Sequence, residues 1–177
     1  PKGYNRAELY SGKALDFDGV NDKVTISDGI NSLVGDEITL TAWVRLDAVS
    51  GYPCIISNKV NDTNGFAFLV NPTGNELFWQ YDGASYQIEA GGELTLGELY
   101  FVCATYDGSN LKTYINGVES VTKAAPSKAL TATGDLDLYI GRQNTATGYW
   151  NGLISGLRAF NTALTAAQVA DLYNNPE

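Results

Sequence analysis

The stretch Ile38-Thr39-Leu40-Thr41-Ala42-Trp43-Val44-Arg45-Leu46 alternates strictly. Ile38, Leu40, Ala42, Val44 and Leu46 fall on one side of an extended chain, and Thr39, Thr41, Trp43 and Arg45 on the other. Successive side chains of a strand point to opposite faces, so an apolar row of period two reads as a strand lying over a core. The alternation recurs further along the chain. Leu77, Trp79 and Tyr81 oppose Phe78 and Gln80, and Leu111, Thr113 and Ile115 oppose Lys112, Tyr114 and Asn116. Further strands are expected over 23–27, 54–58, 66–70, 85–90, 99–106, 136–141 and 153–160.

The segments between them carry turn chemistry. Asp18-Gly19, Asp82-Gly83, Asp107-Gly108 and Asn116-Gly117 are dipeptides that accept positive φ and reverse a chain, and Asn64-Gly65 and Asn151-Gly152 precede strands in the same way. Many strands with such turns and no helices between them predict an all-β, antiparallel sandwich or jelly roll. One helix is legible near the end. Thr165-Ala166-Ala167-Gln168 fits a capping box, Leu164 and Val169 fit a hydrophobic staple around it, and Asn174-Asn175-Pro176 stops it. Residues 122–134, rich in Lys, Ala, Pro, Ser and Thr, read as a long loop. Residues 1–13 are polar and read as a linker or N-terminal arm, which leaves 14–177 as one domain.

At 177 residues and 44% hydrophobic content, the chain has enough apolar surface for a core without metal or disulfide staples. It has no histidine, which excludes a Ser-His-Asp or Cys-His nucleophilic site and any metal site with imidazole ligands. With no methionine and Pro1 at its start, it is expected to be a processed piece of a longer product. Lys and Arg total 11 against 20 Asp and Glu, a net charge of −9 that repels phosphate backbones and anionic lipid. Neither nucleic acid nor a membrane is therefore an expected partner. Cys54 and Cys103 both sit in apolar runs. They fit either a disulfide closing a long loop or two buried thiols acting as small hydrophobes.

A sugar ring offers a C–H face that stacks on Trp or Tyr and hydroxyls that pair with amide, carboxylate and guanidinium groups. A glycan site therefore needs an aromatic platform beside planar polar side chains. The run from Arg142, Gln143 and Asn144 to Tyr149, Trp150 and Asn151 has that composition on an apparent loop. A second candidate is Trp79, Gln80, Tyr81 and Asp82, running into Tyr86 and Gln87. Tyr52, before Cys54, is free to be exposed but has no polar cluster beside it in sequence.

Several segments, taken in order, carry a resemblance. They are 14–22 (Ala-Leu-Asp-Phe-Asp-Gly-Val-Asn-Asp), Ile38 to Val44, 55–59 (Ile-Ile-Ser-Asn-Lys) and 104–108 (Ala-Thr-Tyr-Asp-Gly). Next come 111–118, Ile140-Gly141-Arg142, Asn151-Gly152-Leu153-Ile154, Arg158-Ala159-Phe160-Asn161 and Leu164-Thr165. Together these resemble the bacterial laminin-G-like domains of the concanavalin A-like superfamily across about residues 14–173.

The resemblance implies a two-sheet jelly roll, usually one module of a larger secreted or surface protein. Its implied role is non-catalytic carbohydrate binding, with a protein-binding or structural module (a surface adhesin, or a phage or virion fibre) as the alternative. A glycan-active enzyme ranks last: hydrolases of the superfamily usually carry a Glu-x-Asp-x-x-Glu strand, which is absent here. Related lyases generally rely on His with Tyr. Glu89, Glu93 and Glu98 cluster around glycine turns and read as a solvated rim.

Many relatives hold Ca²⁺, which takes six to eight oxygen ligands. The resemblance makes Asp18 and Asp22 the candidate ligands, within a turn that also carries Asp16 and Asn21; Asn61, Asp62 and Asn64 form a second oxygen-rich group. The final strand reads Ile154-Ser155-Gly156 where many relatives have Ile-Asp-Glu, so the carboxylates of a site built there are missing.

Overall fold

The decisive strand forms with the bounds its alternation predicts, Ile38–Leu46, and it lies inside a six-stranded sheet. The computed structural model describes residues 14–29, 33, 35–58, 65–81, 86–88, 91–124, 137–143 and 148–176. The first sheet runs, edge to edge, through β1 (Leu15–Asp18), β12 (Asn151–Phe160), β3 (Ile38–Leu46), β8 (Leu99–Tyr106), β9 (Asn110–Ile115) and β10 (Val118–Ala124). The second runs through β2 (Val24–Ile26), β11 (Leu138–Ile140), β4 (Cys54–Ser57), β5 (Phe66–Asn71), β6 (Glu76–Tyr81) and β7 (Tyr86–Ile88). Every pairing is antiparallel. The chain is a two-sheet jelly-roll sandwich.

The core lies between the sheets. Ile38, Leu40, Ala42, Val44 and Leu46 of β3 pack there with Phe66, Phe68 and Val70 of β5, and with Leu138 and Ile140 of β11. The other face of β3 is buried as well. Trp43 joins Phe101, Cys103, Tyr114 and Val169 in a second apolar cluster on the outside of the first sheet. The cover there is α1 (Ala166–Asn174), whose Val169, Leu172 and Tyr173 meet the cluster. Its N-terminus is the expected capping box: Thr165 accepts from the Gln168 amide, and the Gln168 side chain accepts from the Thr165 amide at 2.9 Å. Thr39 secures the approach to the helix, its hydroxyl donating to the Thr162 carbonyl at 2.7 Å and accepting from the Leu164 amide at 2.9 Å.

The Asn116-Gly117 turn joins β9 to β10 with both residues at positive φ (51° and 79°), the two-residue hairpin geometry that suits the twist of the strands. One expectation fails here. Thr122, Lys123 and Ala124 belong to β10 and pair with Lys112, Leu111 and Asn110; they are not part of a long loop. β10 is an edge strand with almost all its side chains exposed, so no alternating apolar row announces it. Residues 125–134 of that loop lie outside the described residues, as do 1–13 of the expected arm.

Cys54 and Cys103 are both buried thiols, not joined in a disulfide. Cys54 packs with Ala67 and Leu69, apart from the core, whereas Cys103 lies in the cluster beneath α1, so each thiol serves a different sheet. Burial drives the Cys103 thiol far above its ordinary pKa, which keeps it protonated. No helix among the described residues is long and apolar enough to cross a membrane.

Candidate functional site

Two side chains of the candidate region, Arg142 and Tyr149, meet a third, Tyr139, at β11 and the turn that follows it. Leu138 and Ile140 enter the core, so Tyr139 between them sits on the outer face of the second sheet, half-buried, opposite Ser57 of β4 in register. Gly141 then turns the chain at φ 82°. A Cβ there would run into the Phe17 ring, so the position requires glycine both for its backbone and for its neighbour.

The turn delivers Arg142, whose guanidinium carbon lies 5.0 Å from the centre of the Tyr139 ring and 5.9 Å from that of Tyr149. Both distances are within cation–π range. Arg142 Nε donates to the Gln143 carbonyl at 2.7 Å, and the Arg142 carbonyl accepts from Ser57 Oγ at 3.3 Å, so the residue is held at both ends. The result is a pre-formed group of one planar cation and two phenol rings, all partly exposed.

The returning segment 148–151 is fixed by backbone bonds. The Gly148 carbonyl accepts from the Cys54 amide at 3.1 Å, and the Trp150 amide donates to the Gly141 carbonyl at 2.8 Å. These place Tyr149 beside Arg142 and send its neighbour the other way. Trp150 is 0% exposed and belongs to the core between the sheets, which corrects its place among the ligand-binding candidates. The strand-like alternation that leaves Tyr149 accessible takes Trp150 inward, so its ring has no face for a ligand. Its indole Nε1 is buried without a hydrogen-bond partner among the described residues.

Asn151 links this segment to the first turn, donating from Nδ2 to the Asp18 carbonyl at 3.2 Å. The Asp18 carboxylate itself caps that turn. Its Oδ1 accepts from the amides of Val20 at 2.8 Å and Asn21 at 3.2 Å, and these bonds hold its pKa below the ordinary aspartate value. Asp22 Oδ2 accepts from the Asp18 amide at 3.0 Å. Among the described residues, no group of three or more His, Cys, Asp or Glu side chains comes together to hold a metal ion. Two carboxylates already engaged with backbone amides do not make a calcium shell. The described part of this turn fits an Asx cap and does not fit the ion.

The second candidate group is separate. Trp79 and Tyr81 lie on β6, which β4 and β5 separate from β11, three strand spacings or roughly 14 Å away. Trp79 holds the register position opposite Phe68. The side chains of Trp79 and Tyr81, and the whole of Asn144, lie outside the described residues. Glu93 and Glu98 are exposed.

Two residues lie outside the two candidate groups. Tyr139 sits in a stretch that reads as a strand, where alternation between Leu138 and Ile140 marks it as outward. Tyr52 is 47% exposed, and its backbone packs directly on Gly148, a neighbour that no local sequence signal reveals.

No curated protein matches this chain. Among solved structures, domain 4 of AbnA, a GH43 extracellular arabinanase from Geobacillus stearothermophilus, in complex with arabinotriose, superposes with a TM-score of 0.71 at 23% identity; the match covers 92% of this chain and 77% of that one. The heptameric SAP-like pentraxin of Limulus polyphemus gives 0.66 at 19% identity, covering 89% and 80%. A botulinum neurotoxin type C structure, described as entering cells through interaction with two ganglioside molecules, gives 0.61 at 19%, covering 86% of this chain and 39% of that chain. At such identities these likenesses speak to the fold. The family model described as the concanavalin A-like lectin/glucanase superfamily matches residues 18–170, nearly the whole domain, and the chain belongs to that superfamily.

Proposed function

We propose that this chain is a non-catalytic carbohydrate-binding module of a larger secreted or surface protein, and that Tyr139, Arg142 and Tyr149 form its ligand platform. The observation that carries the reading is the guanidinium of Arg142 held over both tyrosine rings. Two aromatic surfaces with phenol hydroxyls at their edges, around a planar donor, match the alternating C–H faces and hydroxyl edges of a sugar. Because the group is fixed by the turn at Gly141 and by bonds to Ser57 and Gln143, little side-chain entropy is lost on binding. Affinity per site is expected to be weak, with avidity supplied by the parent protein. The family and the arabinotriose-bound fold relative support a glycan partner.

The test is a binding screen against soluble polysaccharides, including arabinan, xylan, galactan, mannan and β-glucan, with the wild type and Tyr149→Ala. Binding to one class, lost in Tyr149→Ala at an unchanged unfolding midpoint, is the expected result. If the variant bound as well as the wild type, the site assignment would be wrong. Running the screen with calcium and with a chelator tests Asp18 and Asp22, and their existing bonds predict no difference between the two. Silence across the panel would favour a protein partner, for which exposed Leu15, Val20 and Ile26 near the β1 and β2 edges are the apolar surface.

A further inference from the structure

The loop between β3 and β4 places another aromatic at the margin of the platform. Tyr52 is exposed over 47% of its surface, and its carbonyl oxygen occupies the space where a Cβ on Gly148 would stand. Gly148 has φ 92°, a backbone shape that favours glycine, and its carbonyl accepts from the Cys54 amide at 3.1 Å. Gly51 joins the same contact, its Cβ position 3.7 Å from the Gly148 nitrogen. Two loops from distant parts of the chain are thus in backbone contact, with Tyr52 on one side of the seam and Tyr149 one residue beyond it on the other. A tyrosine needs only two side-chain torsions fixed to offer a large stacking surface, so an exposed one beside a binding group is a low-entropy contact.

Resting on the carbohydrate-binding reading above, we infer that Tyr52 is a further ligand contact, and that the site takes a chain of several sugar units, not a single terminal sugar. Tyr139 and Tyr149 lie on Arg142 and together form one compact group; Tyr52, carried by the other loop at the Gly148 seam, would extend that group to a neighbouring unit of the same chain.

The test is calorimetric titration with arabino-, xylo-, manno- and cello-oligosaccharide series running from the monosaccharide to the hexasaccharide. The proteins are the wild type, Tyr52→Ala and Tyr149→Ala. In the series that binds, affinity should rise with chain length. Tyr52→Ala should weaken the longest oligosaccharide about tenfold, the scale of one aromatic stacking contact, and leave the shortest binding member and the unfolding midpoint unchanged. Equal affinity for the monosaccharide and the hexasaccharide would overturn the inference. So would wild-type binding by Tyr52→Ala in a series that Tyr149→Ala no longer binds, and in that case the platform would stand without Tyr52. Failure of every series on the wild type would remove the carbohydrate-binding reading itself.

Discussion

The indole of Trp43 stacks on the ring of Tyr173, with centroids 5.8 Å apart and planes inclined by 25°. Phe101 completes the triangle, edge-on to Trp43 at 5.5 Å and tilted against Tyr173 at 6.0 Å. The C-terminal helix is therefore fastened to the middle of the first sheet by an aromatic joint, and the outer face of β3 is buried from Thr39 to Trp43. Helix α1 is too short to persist alone, so its order depends on this packing and on its cap.

Two substitutions probe that joint separately. Tyr173→Ala removes stacking and apolar contact at a half-buried ring and should cost about 1–3 kcal/mol. Thr165→Ala removes the capping box and should cost about 1 kcal/mol. Both are read as shifts in the denaturant midpoint. Neither residue touches the Arg142 group, so sugar binding should survive in both variants wherever they remain folded.

Trp150 gives a sharper contrast. Trp150→Ala empties a large core site and should cost about 3–5 kcal/mol. Trp150→Phe loses less volume and also removes a buried N–H that has no partner among the described residues, a group whose burial is itself worth about 1–3 kcal/mol of destabilisation. The phenylalanine variant should therefore lie within about 1 kcal/mol of the wild type and bind sugar equally well. Loss of binding in stable Trp150→Phe would return this residue to the site.

The first turn sets a dependence on acid. The amides of Val20 and Asn21 depress the folded pKa of Asp18 below that of the unfolded chain. Its contribution to stability is therefore fully present above about pH 4, where an unfolded aspartate is ionised. It is lost as the pH falls through the lower folded value. Asp18→Asn keeps an acceptor oxygen without the charge. The variant should unfold at a lower midpoint than the wild type at pH 7, with the difference closing in strong acid. A gap of constant size across the acid range would mean the loss is steric.

Legibility followed burial. β3 and β8 are legible in the sequence with their full bounds because each crosses the middle of a sheet, where burial imposes an apolar run. β1 and β10 carry no such signal. They are the edges of the first sheet; Leu15 and Val118 are exposed, and pairing alone keeps such residues extended. The Thr165 cap and the Asn116-Gly117 turn were legible because both are local chemistry.

The site divided along the same line. Arg142 and Tyr149 share one loop, so their pairing is local in sequence, and the inward direction of Leu138 and Ile140 marks Tyr139 as outward. Tyr52 meets Gly148 through backbone contact across distant sequence, which composition does not encode. Trp150 has the composition of a ligand platform, but beside Tyr149 on an extended segment it faces the opposite way, into the core.

The two sealed thiols give this sandwich a pair of independent clocks. A thiol-specific reagent reaches Cys103 when the helix lifts from the first sheet, and it reaches Cys54 when the outer surface of the second sheet opens. Labelling rates at the two sulfurs, resolved by peptide mass, would report how often each side of the sandwich breathes. If the rates match, the molecule opens only as a whole. If they differ, one side of the sandwich opens more readily than the other.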